Sequence, residues 1–162
     1  FVITIPFKIN EDVARDEEKQ EEVTASIRGL NILLVEDNEL NMEIAEFVIQ
    51  SEGASVVKAW NGQEAVEAFE KSASGEFDVI LMDVMMPVMN GYEATKTIRT
   101  MDRSDAKKIP IIAMTANAFV EDRIKSKEAG MNEHVSKPID MKLLVEIIAE
   151  LAGKNKNRED KE

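Results

Sequence analysis

The feature that most constrains this chain is a regular alternation of short apolar runs with amphipathic segments, which begins at Leu30. Two of the runs, NILLV at 31–35 and FDVILM at 77–82, are apolar almost throughout, as in strands that are buried on both faces. Short turns between such strands and the helices that follow them require parallel strands with right-handed crossovers. We therefore expect an α/β domain with a doubly wound, five-stranded parallel sheet and helices on both faces. The expected strands are 31–35, 55–59, 77–82, 109–114 and 134–136, and the expected helices are 39–51, 63–71, 92–100, 119–129 and 141–151.

The remaining segments differ from this pattern. Residues 1–7 (FVITIPF) alternate in the manner of a strand, and Pro6 suits an edge strand or a strand end. Residues 8–28 are highly charged and contain too few apolar side chains to build a core, which is typical of a linker. We therefore expect a linker at 8–28, one folded domain at 29–152 and a polar tail at 153–162.

Composition narrows the class of function. The 162 residues include 32 Asp and Glu against 20 Lys and Arg, for a net charge of −12. Such a surface repels nucleic acid and anionic membranes but attracts divalent cations. The absence of cysteine excludes a disulfide framework and a zinc ribbon, and no apolar run reaches the ~18 residues that span a bilayer. We expect a cytoplasmic chain with no nucleic-acid partner and no direct membrane contact.

Polar side chains stand where the central strands end. Glu36 and Asp37 follow the first strand, Asp83 the third, Thr115 the fourth and Lys137 the fifth. In open α/β sheets ligands bind beyond the carboxyl ends of the strands, so these groups are expected to share one crevice. Three carboxylates together favour a bound hard cation, and we expect Mg²⁺. With a hydroxyl and an ammonium beside them, they could transfer a phosphoryl group onto a carboxylate oxygen.

Four motifs in this order carry a family resemblance. VEDNELN (35–41), VILMDVMMPVMNG (79–91), PIIAMTAN (110–117) and HVSKPID (134–140) together resemble the receiver domain of two-component response regulators, of the type found at the C-terminus of hybrid sensor histidine kinases. The resemblance covers roughly residues 31–152. It implies the flavodoxin-like strand order 2-1-3-4-5, and a phosphoacceptor module of a phosphorelay that switches conformation. The opening FVITIPF also looks like the last strand of a histidine-kinase ATP-binding domain.

The resemblance assigns the phosphoacceptor and the metal ligands residue by residue. Asp83 would accept the phosphoryl group, and Mg²⁺ (or Mn²⁺) would be held by Glu36, Asp37, Asp83 and the backbone carbonyl of Met85. The donor would be a histidine-phosphotransfer protein or the dimerisation domain of a histidine kinase.

The resemblance also implies the groups that contact the phosphoryl oxygens. Thr115 would bind one of them and reorient, Lys137 would pair with Asp83 before a cis proline bond, and backbone amides near Met85 and Ala116 would complete the cradle. The second switch position, often Tyr or Phe in the family, is His134 here. This side chain lies in a strand and is not the phosphorylated histidine of a kinase, so the chain has no kinase site, although it would catalyse phosphorylation and dephosphorylation of its own aspartate.

Two points remain open on the residues alone. The first helix carries two apolar stripes, one of Leu40, Ile44, Phe47 and Val48 and one of Met42, Ala45 and Ile49. We expect the first stripe to face the sheet. The second would either pack against the last helix or form an exposed docking patch, and we favour docking of a helical phosphodonor. The same topology would also suit an FMN-binding, flavodoxin-like electron carrier, although the acidic loop after the first strand is poorly suited to a flavin phosphate.

Overall fold

The computed structural model describes residues 26–116 and 119–159, with residues 155–159 described as backbone only. The predictions for the strand at 1–7 and for most of the linker lie outside the described residues. The described elements, in chain order, are β1 (Asn31–Val35), α1 (Glu39–Ser51), β2 (Ser55–Ala59), α2 (Gly62–Lys71), β3 (Val79–Asp83), α3 (Gly91–Thr100), β4 (Ile111–Thr115), α4 (Val120–Ala129), β5 (Glu133–Ser136) and α5 (Met141–Glu159).

The sheet has five parallel strands in the order β2-β1-β3-β4-β5, which confirms the expected architecture. Side chains alternate between its two faces. On β3, Ile80 and Met82 pack with α2 and α3 in one core, whereas Val79 and Leu81 pack with α1 and α5 in the other. Both faces are therefore covered, and the strand ends remain available for a site. Within the described residues, no helix is both long and apolar enough to cross a bilayer.

Several element bounds differ from the expected ones. β3 and β4 each begin two residues later than predicted and end one residue later, so that Asp83 and Thr115 are the last residues of their strands. Asp78, just before β3, is joined to the start of β1: its carboxylate accepts the backbone N–H of Asn31 (2.8 Å) and its own N–H donates to the carbonyl of Asn31 (2.9 Å). α5 continues to Glu159 rather than ending at 151, and Lys154 pairs with Glu150 one turn earlier on its surface.

The predicted orientation of α1 is wrong. Met42, Ala45 and Ile49 are buried against the sheet, at 0%, 5% and 0% exposure, and are therefore not a docking surface. Leu40 and Phe47, from the stripe that was expected to be buried, are exposed.

The start of α1 explains this orientation. Only three residues separate β1 from the helix, and the N-cap Asn38 accepts the N–H of Asn41 (3.1 Å) through its side chain. This short, capped connection sets the rotation of the helix, and the small Ala45 lets it approach the sheet closely. The bulkier stripe is left outside, with Leu40, Ile44 and Phe47 at 64%, 50% and 74% exposure.

Candidate functional site

Three carboxylates meet at the carboxyl edge of the sheet. Glu36 and Asp37 directly follow β1, and Asp83 ends the neighbouring β3. One oxygen from each lies within 4.8 Å of the others. Glu36 and Asp83 are buried, whereas Asp37 is exposed at the mouth of the cluster. This donor set fits a hard divalent cation, which prefers oxygen ligands and keeps several waters on its open side.

Lys137 joins two of these carboxylates. Its Nζ donates to Oε2 of Glu36 (2.6 Å) and to Oδ2 of Asp83 (2.7 Å), and its backbone N–H donates to the carbonyl of Thr115 (2.7 Å). The Lys137–Pro138 peptide bond is cis. β5 is thereby connected to β1 and β3 across the top of the sheet.

The electrostatic balance differs between the two ends of the Lys137–Asp83 contact. Burial raises the pKa of Asp83, and the hydrogen bond and charge of Lys137 offset only part of this. Burial works against the ammonium of Lys137, but its hydrogen bonds to Asp83 and Glu36 outweigh that effect and raise its pKa. Both directions are consistent, because the negative charge of Glu36 raises the pKa of Asp83 further, whereas Lys137 gains from both carboxylates. Asp83 therefore gains from any further positive charge in the crevice.

The loop after β3 is held close to the three carboxylates of Glu36, Asp37 and Asp83, hereafter the acidic cluster. The backbone N–H of Met85 donates to Oδ1 of Asp83 (3.1 Å), while the Met85 side chain is 72% exposed. The N–H of Gly91 donates to the carbonyl of Val84 (3.0 Å). A Cβ at Gly91 would lie 2.2 Å from the carbonyl oxygen of Asp83, so only glycine permits this approach.

The remaining predicted residues occupy the neighbouring strands. Thr115 is buried at the end of β4, beside the end of β3, and Ala116 is exposed immediately after it. His134 lies farther along the edge: its Nδ1 is 3.2 Å from a carboxylate oxygen of Glu133, and its side chain lines a cleft against α4. The structure therefore brings Glu36, Asp37, Asp83 and Lys137 together, with Thr115 on the adjacent strand, and gives His134 a separate environment.

One contact to the cluster is not anticipated by the sequence reasoning. Nδ2 of Asn41, in the first turn of α1, donates to Oε1 of Glu36 (3.0 Å). The signal available in the sequence is an amide side chain three positions after the N-cap Asn38, in the first turn of a helix that follows the acidic pair.

Comparisons with known proteins agree on one family. Residues 32–149 match the model for the response regulator receiver domain. Over 156 aligned residues the chain is 36% identical to Histidine kinase 1 of Arabidopsis thaliana, covering 78% of this chain and 13% of that protein. It is 43% identical to Hybrid signal transduction histidine kinase M of Dictyostelium discoideum, covering 74% and 5%. The chain thus spans only a small part of these relatives.

Two solved structures are informative. The receiver domain of the sensor histidine kinase PA1611 from Pseudomonas aeruginosa PAO1, which has a magnesium ion coordinated in its active site cleft, is 39% identical with a TM-score of 0.70, covering 77% of this chain and 98% of that one. The receiver domain of the Saccharomyces cerevisiae response regulator Ssk1, crystallised with the histidine phosphotransfer protein Ypd1, is 30% identical with a TM-score of 0.68, covering 77% and 90%.

Proposed function

The chain belongs to the response regulator receiver family, and from this premise we propose that it is a phosphoacceptor module of a two-component phosphorelay in which Asp83 receives the phosphoryl group. The observation that carries the proposal is the placement of Asp83. Its carboxylate is buried at the edge of the sheet, near Glu36 and Asp37 and within hydrogen-bond distance of Lys137. A carboxylate in this position is costly for folding but suited to phosphoryl chemistry.

The transfer exchanges one phosphorus bond for another. A carboxylate oxygen of Asp83 attacks the phosphorus of a phosphohistidine in line, the P–O bond forms as the P–N bond breaks, and the leaving imidazole takes up a proton from water. Glu36, Asp37, Asp83 and the carbonyl of Met85 would hold Mg²⁺ or Mn²⁺, which when bound neutralises charge on the phosphoryl oxygens. Met85 orients Asp83 through its N–H, and Lys137 supplies a fixed positive charge beside it.

Residues next to Asp83 would respond to its phosphorylation. We assign the hydroxyl of Thr115 and the backbone amide of Ala116 to the phosphoryl oxygens, because both lie at the end of the strand next to Asp83. His134, on β5 against α4, would then transmit the change to that side of the domain.

The donor-binding surface is proposed to be the exposed face of α1. Leu40, Ile44 and Phe47 form an apolar surface, hereafter the α1 face. It continues into a groove of about 500 Å³ that Ile44 and Lys137 help to line. The partner is a helical histidine-phosphotransfer protein or a kinase dimerisation domain, since the groove leads from apolar surface to the site, and Ssk1, a receiver of similar structure, was crystallised with Ypd1.

We also propose that the domain is part of a longer hybrid histidine kinase, with residues 8–28 as the linker and residues 1–7 as the end of the kinase domain. The relatives support this, because they are histidine kinases of which the chain covers only a small part.

Phosphorylation by acetyl phosphate with Mg²⁺ tests the acceptor. Intact mass should increase by one phosphoryl group in the wild type and in Asp102→Asn, an exposed control, but not in Asp83→Asn. Phosphorylation that persists in Asp83→Asn would refute the assignment. The match to the receiver family over residues 32–149 does not favour the FMN-binding, flavodoxin-like alternative.

Ile44→Asp tests the α1 face. Transfer from a phosphorylated histidine-phosphotransfer protein should slow at least tenfold, because a carboxylate would be buried in an apolar contact, while the rate with acetyl phosphate is retained. Ile124→Asp is the control, an isoleucine of α4 exposed to a similar extent (51%). Equal losses with both donors, or equal losses in both variants, would exclude this surface.

A further inference from the structure

Glu36 is restrained at both of its carboxylate oxygens. Oε2 accepts from Nζ of Lys137 (2.6 Å). Oε1 accepts from the backbone N–H of Asn38 (3.3 Å) and from the side-chain amide of Asn41 (3.0 Å). Both oxygens are engaged by donors, from the start of α1 and from the residue after β5, so the carboxylate plane has little rotational freedom. Of the two donors to Oε1, only Asn41 is a side chain, and so it can be removed by substitution.

The start of α1 explains why the Asn41 amide is available for this contact. In a capping box, the residue at the third helical position reaches back to the N–H of the N-cap residue. Asn41 holds that position, but the N–H of Asn38 is already satisfied by Glu36. Glu36 thus accepts the N–H of Asn38, the role that the third helical residue has in a capping box, and the Asn41 side chain donates to Glu36 instead.

Asn41 also lies on the route from the α1 face to the site. It is an exposed residue, and it lines the groove together with Ile44 and Lys137. The same side chain therefore contacts a carboxylate of the acidic cluster and forms part of the surface assigned to the phosphodonor.

We propose that Asn41 is a positioning residue, which holds the carboxylate of Glu36 in the orientation required to bind the divalent cation. The inference rests on the proposed function, since it assumes that Glu36 helps to bind Mg²⁺. Hydrogen-bond partners of metal-binding carboxylates typically contribute 10–100-fold to metal affinity. Because Glu36 keeps its contacts with Lys137 and Asn38, loss of Asn41 is expected at the lower end, about tenfold.

The test is a titration of the whole chain with Mg²⁺, followed by NMR shifts of the backbone amides of the site. Asn41→Leu keeps the approximate shape of the side chain but removes the donor, and should raise the Kd for Mg²⁺ about tenfold. Gln50→Leu is the matched control, because Gln50 is an exposed amide of the same helix that donates to a surface glutamate, Glu46 (3.3 Å). Its Kd should equal that of the wild type.

A second control separates positioning from helix stability. Asn38→Ala removes the N-cap side chain, which should lower the midpoint of unfolding in urea, but it leaves all three donors to Glu36 in place. The inference is overturned if Asn41→Leu leaves the Kd unchanged, or if Asn38→Ala raises it equally. In either case phosphorylation of Asp83 by acetyl phosphate would still support the proposed function. If the wild type shows no Mg²⁺-dependent shifts near Asp37 and Asp83, the proposed metal site and this inference fail together.

Discussion

Replacing Lys137 with methionine removes the ammonium that Glu36 and Asp83 share. The side chains of these carboxylates are 3% and 5% exposed, and the cation lies 2.6 and 2.7 Å from them. Removing one partner of a buried ion pair typically costs about 3–5 kcal/mol, because the remaining charge is left uncompensated. The Lys137 side chain is 21% exposed, so water screens part of the interaction, and we expect a loss of about 2–3 kcal/mol of unfolding free energy without divalent cations.

The assay is urea denaturation of wild type and Lys137→Met, in EDTA and in saturating Mg²⁺. A cation in the acidic cluster would supply the charge that the variant lacks, so the difference between the two proteins should shrink when Mg²⁺ is added. The double variant Lys137→Met with Asp83→Asn should recover part of the loss in EDTA, since it removes a buried carboxylate. Lys137→Arg keeps the charge and should be intermediate, because a planar guanidinium does not fit a site shaped for a point charge.

Two results would refute this reasoning. One is a loss below about 0.5 kcal/mol in EDTA, the range of ordinary surface substitutions. The other is a loss of the same size in EDTA and in Mg²⁺, which would mean that Lys137 acts through packing rather than through charge.

Three further predictions concern stability. Burial raises the pKa of Asp83 above its ordinary value of 3.8. This group therefore contributes most to stability at pH below 3.8, and the contribution is lost as the pH rises through the raised pKa. Urea titrations in EDTA should show this dependence in the wild type but not in Asp83→Asn. Gly91→Ala should lose about 1–3 kcal/mol of unfolding free energy in urea and should be phosphorylated more slowly. Gly153→Ala should show neither effect, because a Cβ there meets nothing within 4 Å. Arg103 caps α2, because its guanidinium donates to several carbonyl oxygens at the end of that helix and lies 4.3 Å above the Phe69 ring. Arg103→Met should lower the unfolding free energy measured in urea by about 2 kcal/mol. Arg103→Lys lacks the planar guanidinium and should recover little of that loss.

The architecture and the acidic cluster could be predicted because both follow from chain order. Apolar runs mark the strands, and polar residues at their carboxyl ends, such as Glu36 and Asp83, meet at one edge of a parallel sheet wherever the strands are neighbours. Motif resemblance then supplied the order 2-1-3-4-5, which makes β1 and β3 neighbours.

The rotation of α1 could not be predicted in this way. Both of its stripes are apolar, and most of the stripe with the larger side chains, including Leu40 and Phe47, is exposed. The deciding interactions are polar and local, since Asn38 caps the helix and thereby sets which side meets the sheet. The contact of Asn41 with Glu36 depends on the same geometry. Hydrophobic periodicity shows how apolar each stripe is, but it does not show how a short loop rotates the helix relative to the sheet.

The span between Glu36 and Lys137, 101 residues of sequence, bears on how the protein is made. Ribosomes release the chain from the N-terminus, so the acidic pair and Asp83 emerge long before the cation that completes their surroundings. A nascent chain that lacks Lys137 therefore holds Glu36 and Asp83 without the ammonium that they share. Under the proposed function, we expect a chain that ends before Lys137 to accept phosphoryl groups more slowly than the finished chain.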